Sequence, residues 1–415
     1  MKKINLFSLL LLSFLLTACF TRRAMEPAPE AETFPPTLIL VSFDGCRYDY
    51  PEHAHTPALD AIAREGVKAE GLKTAFPSKT FPNHLTLVTG LYPGHHGILA
   101  NTMYDAEHDR WYRLSNGAVA DASWYRGEPI WVTAEKQGVK TATYFWPGSE
   151  APIQGVRPTY WEAYDHHRPF AERVEQVLSW LDLPKGERPQ FITLYFHEPD
   201  ERGHQYGPLS PEALSALEEV DAQLETLLAG LKERGLEEKV NLMVVSDHGM
   251  TSTSRDSVIF LDDYINLDDV MVVDWSPLLA LRPKEGKEEE VWQALKNANP
   301  HMQVYRKDEL PQHWHYEKSD PLVQPILALA DEHWSITTHA YFDSHPHKPS
   351  PGAHGYDPAY SNMNAIFYAR GPAFKRGYEA PLIENIHLYA LMCHLLNIEP
   401  AEQDGKLDAV KDLLR

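Results

Sequence analysis

Four short apolar runs, each ending in polar residues, limit most strongly the folds open to this chain. Continuous runs of this length are typical of strands buried on both faces of a parallel sheet. Helical patterns lie between the runs, so the sequence predicts an α/β fold in which helices sandwich a mostly parallel central sheet. The four runs are "TLILVSFDG" (37–45), "VKTATYFWPGS" (139–149), "QFITLYFHEPD" (190–200) and "VNLMVVSDHG" (240–249).

The clearest helix is predicted over 210–235. Ser210 suits its N-cap, Pro211 its first turn and Gly235 its end. Leucines recur in it at the three-to-four spacing of one apolar helix face. They are Leu214, Leu217, Leu224, Leu227, Leu228 and Leu231.

Between 255 and 345 the sequence pattern changes, which predicts a small α+β insertion. Its segments "VMVVDWSPLLALRP", "EEEVWQALKNA" and "MQVYRKDEL" read as strand, helix and strand. The larger catalytic domain is therefore expected to comprise 37–254 and 346–415.

The N-terminus predicts export and a lipid anchor. Lys2 and Lys3 precede an apolar run that is too short to span a membrane and ends in "LTAC" at Cys19. This segment resembles a bacterial lipoprotein signal, with a signal peptide at 1–18, a lipidated Cys19 and a Pro/Ala/Glu-rich tether at 19–36. The protein is then expected at the periplasmic face or outer membrane of a bacterium. A plain secretory signal is the alternative.

The net charge of −21 at pH 7 argues against a nucleic-acid polymer as partner. It would also repel small phosphate esters unless bound metal ions reverse the local potential. Beyond Cys19 the chain has two cysteines, Cys46 and Cys393. Either one disulfide or two buried thiols fits this count. The oligomeric state is left open.

Acidic residues and histidines follow three of the four predicted strands. Because parallel strands end at one edge of a sheet, these side chains are expected to meet there. Three carboxylates and three imidazoles are donors that zinc accepts. The alternatives without metal binding are a turn at Asp44, a helix cap at Asp247 and an exposed loop at His354. The candidates are Asp44, Asp200, His204, Asp247, His248 and His354.

Thr80 in "FPSKTFPNHLTLVTG" precedes a proline that can open a helix. Its hydroxyl is either satisfied by the backbone or a nucleophile at a helix N-terminus, where N–H groups face an anion. Two ions about 4 Å apart suit phosphoryl transfer beside such a hydroxyl. Lys79 is expected to be solvated.

Six motifs occur in the order found in a known family, and the resemblance covers residues 37 to about 397. The motifs are "SFDGCR", "PSKTFPNH", "GILAN", "EPDERGHQYGP", "VSDHGM" and "GAHGYDP". With them the chain resembles a nucleotide pyrophosphatase/phosphodiesterase of the alkaline phosphatase superfamily. The resemblance implies an alkaline phosphatase-like fold, two zinc ions per subunit and a phosphothreonine intermediate on Thr80. It also implies that Asn101 and the backbone N–H of Phe81 donate to a phosphate oxygen.

The resemblance distributes the metal ligands between two ions. It assigns one zinc to Asp200, His204 and His354. It assigns the other, which also contacts the Thr80 oxygen, to Asp44, Asp247 and His248.

The substrate is expected to stack on aromatic side chains. Phe81 is either a core residue or the wall for the leaving group. Tyr195 and either Trp146 or Tyr144 are the candidates for its partner.

The function predicted is zinc-dependent hydrolysis of phosphodiester or pyrophosphate bonds in nucleotides. The alternatives are a related hydrolase of choline-type lipid diesters, phosphonates or monoesters, and a non-catalytic surface lipoprotein. The "FPNH" that follows Thr80 lacks the positive side chains expected around a monoester dianion, and so favours a diester.

Overall fold

The computed structural model describes residues 34–415, of which Pro36–Arg415 form one compact unit. The predicted signal peptide (1–18), Cys19 and most of the predicted tether (19–36) lie outside the described residues.

The strands of the described chain are β1 Leu38–Phe43, β2 Val67–Ala69, β3 Leu72–Lys73, β4 Thr102–Asp105, β5 Arg110–Arg113, β6 Thr141–Tyr144, β7 Tyr160–Trp161, β8 Phe191–Phe196, β9 Asn241–Val245, β10 Thr251–Ser252, β11 Val258–Phe260, β12 Val270–Asp274, β13 Leu278–Pro283, β14 Met302–Arg306, β15 Ile326–Ala330, β16 Ser335–Thr337, β17 Gly352–Ala353, β18 Phe367–Arg370, β19 Tyr378–Ala380 and β20 Ile383–Glu384. The α-helices are α1 Pro57–Glu65, α2 Thr80–Thr89, α3 Pro93–His96, α4 Ile130–Lys136, α5 Phe170–Leu181, α6 Asp200–Tyr206, α7 Pro211–Glu233, α8 Glu288–Leu295, α9 His339–Ser344 and α10 Leu388–Leu396.

An eight-stranded sheet forms the centre of the fold, in the order β19-β2-β18-β9-β1-β8-β6-β7. The four apolar runs become β1, β6, β8 and β9, which are parallel neighbours. Only β18 runs antiparallel to its neighbours in this sheet. The predicted α/β fold with a mostly parallel sheet is confirmed.

Helices cover the sheet as two groups. Helices α1, α5 and α6 contact α7, whereas α2 and α4 contact α10. Leu38 and Leu40 of β1 share one core cluster with Leu391 of α10. Strand alternation turns Ile39 and Val41, both fully buried, to the opposite face. The sheet is therefore covered on both faces.

The long helix forms as predicted. Helix α7 spans Pro211–Glu233, and the Ser210 hydroxyl accepts the N–H of Ala213 over 3.2 Å. Such a cap contributes about 1 kcal/mol. Its apolar face buries Leu217, Leu224, Leu227 and Leu231.

Within 255–345 the predicted single strand over "VMVVDWSPLLALRP" is wrong. It forms two antiparallel strands, β12 and β13, because the chain turns at Trp275–Ser276–Pro277. Pro277 has no N–H for a ladder, and the Asp274 carboxylate accepts the N–H of Trp275 over 3.0 Å. Strands β14 and β15 complete a four-stranded antiparallel sheet on which α8 packs. The boundaries of the insertion stay a prediction.

Cys46 and Cys393 are buried free thiols, not a disulfide. In the part of the chain that the structure describes, no helix combines the length and apolarity needed to cross a membrane.

Candidate active site

Three carboxylates collect at the carboxyl edge of the central sheet. Asp44 directly follows β1, Asp247 lies just beyond β9, and Asp200 opens helix α6 after β8. The backbone N–H of Asp200 donates to the carbonyl of Asp44 over 3.0 Å. Gly45 permits this approach: its φ is +67°, and a Cβ there would lie 2.7 Å from the Asp200 Cβ. The parallel order of β9, β1 and β8 therefore builds the site.

Asp44, Asp247 and His248 form the first ligand group. Their candidate ligand atoms all lie within 4.8 Å of one another, and all three residues are buried. His248 Nε2 is 3.5 Å from Asp44 Oδ1 and 3.1 Å from Asp247 Oδ2. Both of these oxygens are buried without a hydrogen-bond partner among the described atoms. Unpaired buried carboxylate oxygens are costly, and a bound cation would satisfy them.

Asp200, His204 and His354 form the second group, again with ligand atoms within 4.8 Å. Nε2 of His354 is 3.1 Å from Nε2 of His204 and 3.8 Å from Asp200 Oδ1. Asp200 Oδ1 also has no partner among the described residues. The group has the same need for a cation as the first.

The three histidines are held in the form that a metal requires. Nδ1 of His248 donates to the Gly249 carbonyl over 2.9 Å, and Nδ1 of His204 to that of Gly352 over 2.8 Å. Nδ1 of His354 donates to the Ser78 carbonyl over 2.9 Å. Since a carbonyl only accepts, each Nδ1 carries the proton and each Nε2 keeps its lone pair for a metal.

The electrostatic environment of Asp44 likewise favours a bound cation. Burial, together with the charges of Asp247 and Asp200, raises the pKa of Asp44 well above its usual value. Carboxylates packed this closely ionise together only when positive charge lies between them. The donor set of nitrogen and oxygen atoms fits zinc-class ions.

Thr80 is the first residue of helix α2 and lies beside the first group. Its Oγ1 is 3.3 Å from His248 Nε2. The helix ends at Gly90, whose φ of +66° closes its last turn. The structure thus places the Thr80 hydroxyl at a helix N-terminus and against a candidate metal-binding group.

The prediction that Lys79 is solvated is wrong. Its side chain is buried, and its Nζ pairs with the carboxylate of Asp274, at the end of β12. This pair joins the segment before Thr80 to the four-stranded sheet.

Asn101 and the backbone N–H of Phe81 lie next to each other, but they bond to each other instead of both facing a phosphate oxygen. The N–H of Phe81 donates to Asn101 Oδ1 over 3.1 Å. The Phe81 N–H is therefore already used in this bond. The Asn101 Nδ2 group remains as the expected donor to a phosphate oxygen. The bond to Phe81 also orients the Asn101 amide beside Thr80, where both residues line the same cleft.

The cleft in front of Thr80 has a volume of about 750 Å³. Phe81, Trp146 and Tyr195 line it, as expected from the sequence. The Trp146 ring is fixed because its Nε1 donates to the His84 carbonyl over 3.1 Å. Tyr195 is fixed because its hydroxyl donates to Asp44 Oδ2 over 2.6 Å.

Tyr144 is not a cleft residue, so that candidate is wrong. At the end of β6 its ring packs edge-on against Trp180 of α5, with centroids 5.8 Å apart. Phe145, the next residue, lines the cleft instead.

Tyr164 also lines the cleft, although the sequence analysis does not identify it. It lies in the loop between β7 and α5, and its ring contacts those of Phe145 and Tyr195 edge-on at 5.3 and 5.9 Å. A lone aromatic residue in a loop has no periodic signal that would single it out. The residue is 43% exposed, so its ring can accept a planar ligand group.

The chain was compared with known proteins. The family model for type I phosphodiesterase / nucleotide pyrophosphatase matches residues 38–357. The chain belongs to this family. The match spans all six candidate ligands, Thr80 and Asn101.

Human ectonucleotide pyrophosphatase/phosphodiesterase family member 1 is 40% identical over 405 residues, covering 94% of this chain and 43% of the relative. The chain therefore spans less than half the length of that relative. Bovine bis(5'-adenosyl)-triphosphatase ENPP4 is 38% identical over 413 residues, covering 99% of this chain and 87% of the relative.

Among solved structures, murine ectonucleotide pyrophosphatase/phosphodiesterase 5 matches with a TM-score of 0.86 and 38% identity. The match covers 91% of this chain and 100% of the other. That structure is of an inactive threonine-to-alanine variant in complex with AMP. It confirms the predicted fold class.

Proposed function

We propose that this chain is a zinc-dependent phosphodiesterase and nucleotide pyrophosphatase that uses Thr80 as its nucleophile. The observation that carries the proposal is the position of Thr80 Oγ1, 3.3 Å from His248 Nε2, at the start of α2. A hydroxyl beside one group of metal-ligand type, with a second such group lining the same cleft, is what phosphoryl transfer to a side chain requires. Family membership supports the same reaction class.

Two ligand groups would hold two zinc ions. Asp44, Asp247 and His248 would hold one ion, and the second group, Asp200, His204 and His354, the other. When bound, such ions stabilise the charge on the attacking and leaving oxygens.

The residues of the chain divide the reaction between them. Thr80 Oγ1 forms a bond to phosphorus as the bond to the leaving group breaks, and water later releases the phosphoryl group from Thr80. The N-terminal N–H groups of α2 favour the negative charge of the bound phosphate. Asn101 donates from Nδ2 to a phosphate oxygen while its Oδ1 stays bonded to Phe81.

The substrate class follows from the cleft. Phe81, Tyr164 and Tyr195 offer rings for a nucleobase, and a relative was solved with AMP. Along the described lining there is no Lys or Arg to hold a monoester dianion, which favours a diester or pyrophosphate. Glu150 and Glu162 in the same lining favour a second candidate, a choline-type diester with a cationic head group.

The test compares kcat/KM for bis-p-nitrophenyl phosphate and p-nitrophenyl phosphate, with and without chelator. We expect a strong preference for the diester that chelator abolishes. A preference for the monoester would contradict the proposal. The p-nitrophenyl ester of AMP and p-nitrophenyl phosphocholine then separate the two candidate substrates, and we expect the AMP ester to be preferred.

We also propose that the exported chain is anchored through a lipid on Cys19, on the basis of the "LTAC" motif alone. Radiolabelled palmitate should label the wild-type protein during growth and leave a Cys19→Ser variant unlabelled. Equal labelling of both would contradict the anchor.

A further inference from the structure

A third cluster of metal-ligand type lies in the wall of the cleft, outside the two groups described above. It comprises His166, His197 and Glu201, whose candidate ligand atoms lie within 4.8 Å of one another. Glu201 Oε2 is 3.3 Å from His166 Nε2 and 3.6 Å from His197 Nε2. Donors 2.0–2.1 Å from a tetrahedral zinc ion are roughly 3.3–3.4 Å apart, so these separations need little change to hold one.

Two segments of the chain supply the three side chains. His197 follows β8, and Glu201 lies four residues later in α6, directly after Asp200 of the second ligand group. His166 comes from the loop before α5. The two imidazole rings stack with centroids 4.1 Å apart, and Phe170 packs against His197 at 5.0 Å. Ring packing thus fixes the two imidazoles, whereas the side chains of His166 and Glu201 stay about half exposed.

The surroundings of His166 favour a ligand role. Its Nδ1 lies 3.2 Å from the hydroxyl of Tyr164, a hydrogen-bonding distance. When Nδ1 carries the proton and donates to that oxygen, Nε2 keeps its lone pair and points at Glu201. A second hydrogen bond of this kind is typical of metal-bound histidines.

The charge of the cluster selects a cation over an anion. The Glu201 carboxylate would repel a phosphate, and Glu150, Glu162 and Asp200 line the same cleft. Two imidazoles and one carboxylate are the donor set of many open zinc sites, which keep a position for another ligand.

We propose that His166, His197 and Glu201 bind a third divalent cation of the zinc class, with its open position facing the cleft. All three residues line that cleft together with Thr80. An ion there supplies positive charge in a part of the described lining that has no Lys or Arg side chain. It can therefore accept an anionic group of a substrate at a distance from the phosphorus that Thr80 attacks.

The test counts ions bound to the full-length protein after chelator treatment and equilibrium dialysis against zinc. We expect His166→Ala and Glu201→Gln each to bind one ion fewer than the wild type. Both side chains are about half exposed, which makes the substitutions compatible with folding. His167→Ala, which replaces the exposed neighbouring histidine outside the cluster, should bind as many ions as the wild type.

Cobalt provides a second readout. In Co²⁺-loaded wild type and His167→Ala we expect visible absorption from the cluster that His166→Ala and Glu201→Gln lack. Equal ion counts in wild type, His166→Ala and Glu201→Gln would overturn the proposal. The difference in count does not depend on turnover, so failure of the proposed hydrolysis would leave this result unchanged.

Discussion

The hydroxyl of Tyr195 donates to Asp44 Oδ2 over 2.6 Å, within a site where Asp44 Oδ1 has no partner among the described atoms. One oxygen of the carboxylate is thereby fixed, and the other is left for a cation. Tyr195 also lines the cleft. Its main role is therefore to orient a candidate metal ligand, in addition to the stacking expected from the sequence.

Tyr195→Phe should weaken zinc binding by roughly 10- to 100-fold, because outer hydrogen bonds of this kind tune metal affinity by that amount. Competition with a chromogenic chelator measures the change. Tyr144→Phe is the matched control, since it removes the same atom from a residue outside the cleft. Unaltered zinc affinity in Tyr195→Phe would contradict the role assigned to this bond.

Tyr164→Ala should raise KM for the p-nitrophenyl ester of AMP while changing kcat little. Stacking of a base on an aromatic ring contributes about 1–3 kcal/mol, equivalent to a rise of roughly 5- to 150-fold. Steady-state kinetics measure both constants. Tyr341→Ala, at an exposed tyrosine of α9, should behave as wild type. A fall in kcat at constant KM would show that Tyr164 does not bind the base.

Asp221 of α7 should make stability depend on pH. Its two carboxylate oxygens accept the N–H groups of Ala58 and Leu59 at the start of α1, each over 2.9 Å. Burial raises the pKa of Asp221 to about 6, whereas an unfolded aspartate has a pKa near 3.9. Between these values the folded state binds the extra proton, so the contribution to stability is complete below about pH 4 and is lost as the pH rises through about 6.

Comparison with Asp221→Asn isolates this effect, because asparagine does not titrate. The free energy of unfolding of wild type minus that of the variant should fall by about 2 kcal/mol between pH 4 and pH 7. Urea denaturation in the presence of chelator measures both proteins without bound ions. A difference that stays constant or rises with pH would contradict the raised pKa.

Sequence patterns predicted the central sheet and the meeting of its carboxylates because both depend on local rules. An apolar run such as that of β1 specifies a buried strand, and parallel strands bring their ends together. The ligands from α6 and from the loop at His354 joined them through motif position. These predictions needed no knowledge of side-chain packing.

The errors concern contacts between residues far apart in the chain. Nothing near Lys79 indicates its pairing with Asp274, which lies 195 residues away. The absence of Tyr144 from the cleft and the presence of Tyr164 in it depend on how β6 ends and on how the loop before α5 folds. Pro277 indicates the break between β12 and β13, but the apolar residues on both sides of it resemble one continuous strand.

Thr80→Ala should reduce kcat/KM for bis-p-nitrophenyl phosphate by roughly 10³-fold or more, as expected when a nucleophile is removed. It should keep the fold and the zinc content, because the six candidate ligands are unchanged. Thr226→Ala, at an exposed position of α7, is the control. Substantial activity in Thr80→Ala at wild-type zinc content would contradict the assignment of the nucleophile.

The stereochemical course at phosphorus tests the central claim most directly. The measurement hydrolyses a chiral phosphorothioate diester in ¹⁸O-labelled water with the zinc-loaded wild type and determines the configuration of the product. Attack by Thr80 followed by attack of water comprises two in-line displacements, so we predict net retention of configuration. Net inversion would show a single displacement by water and would contradict a phosphothreonine intermediate.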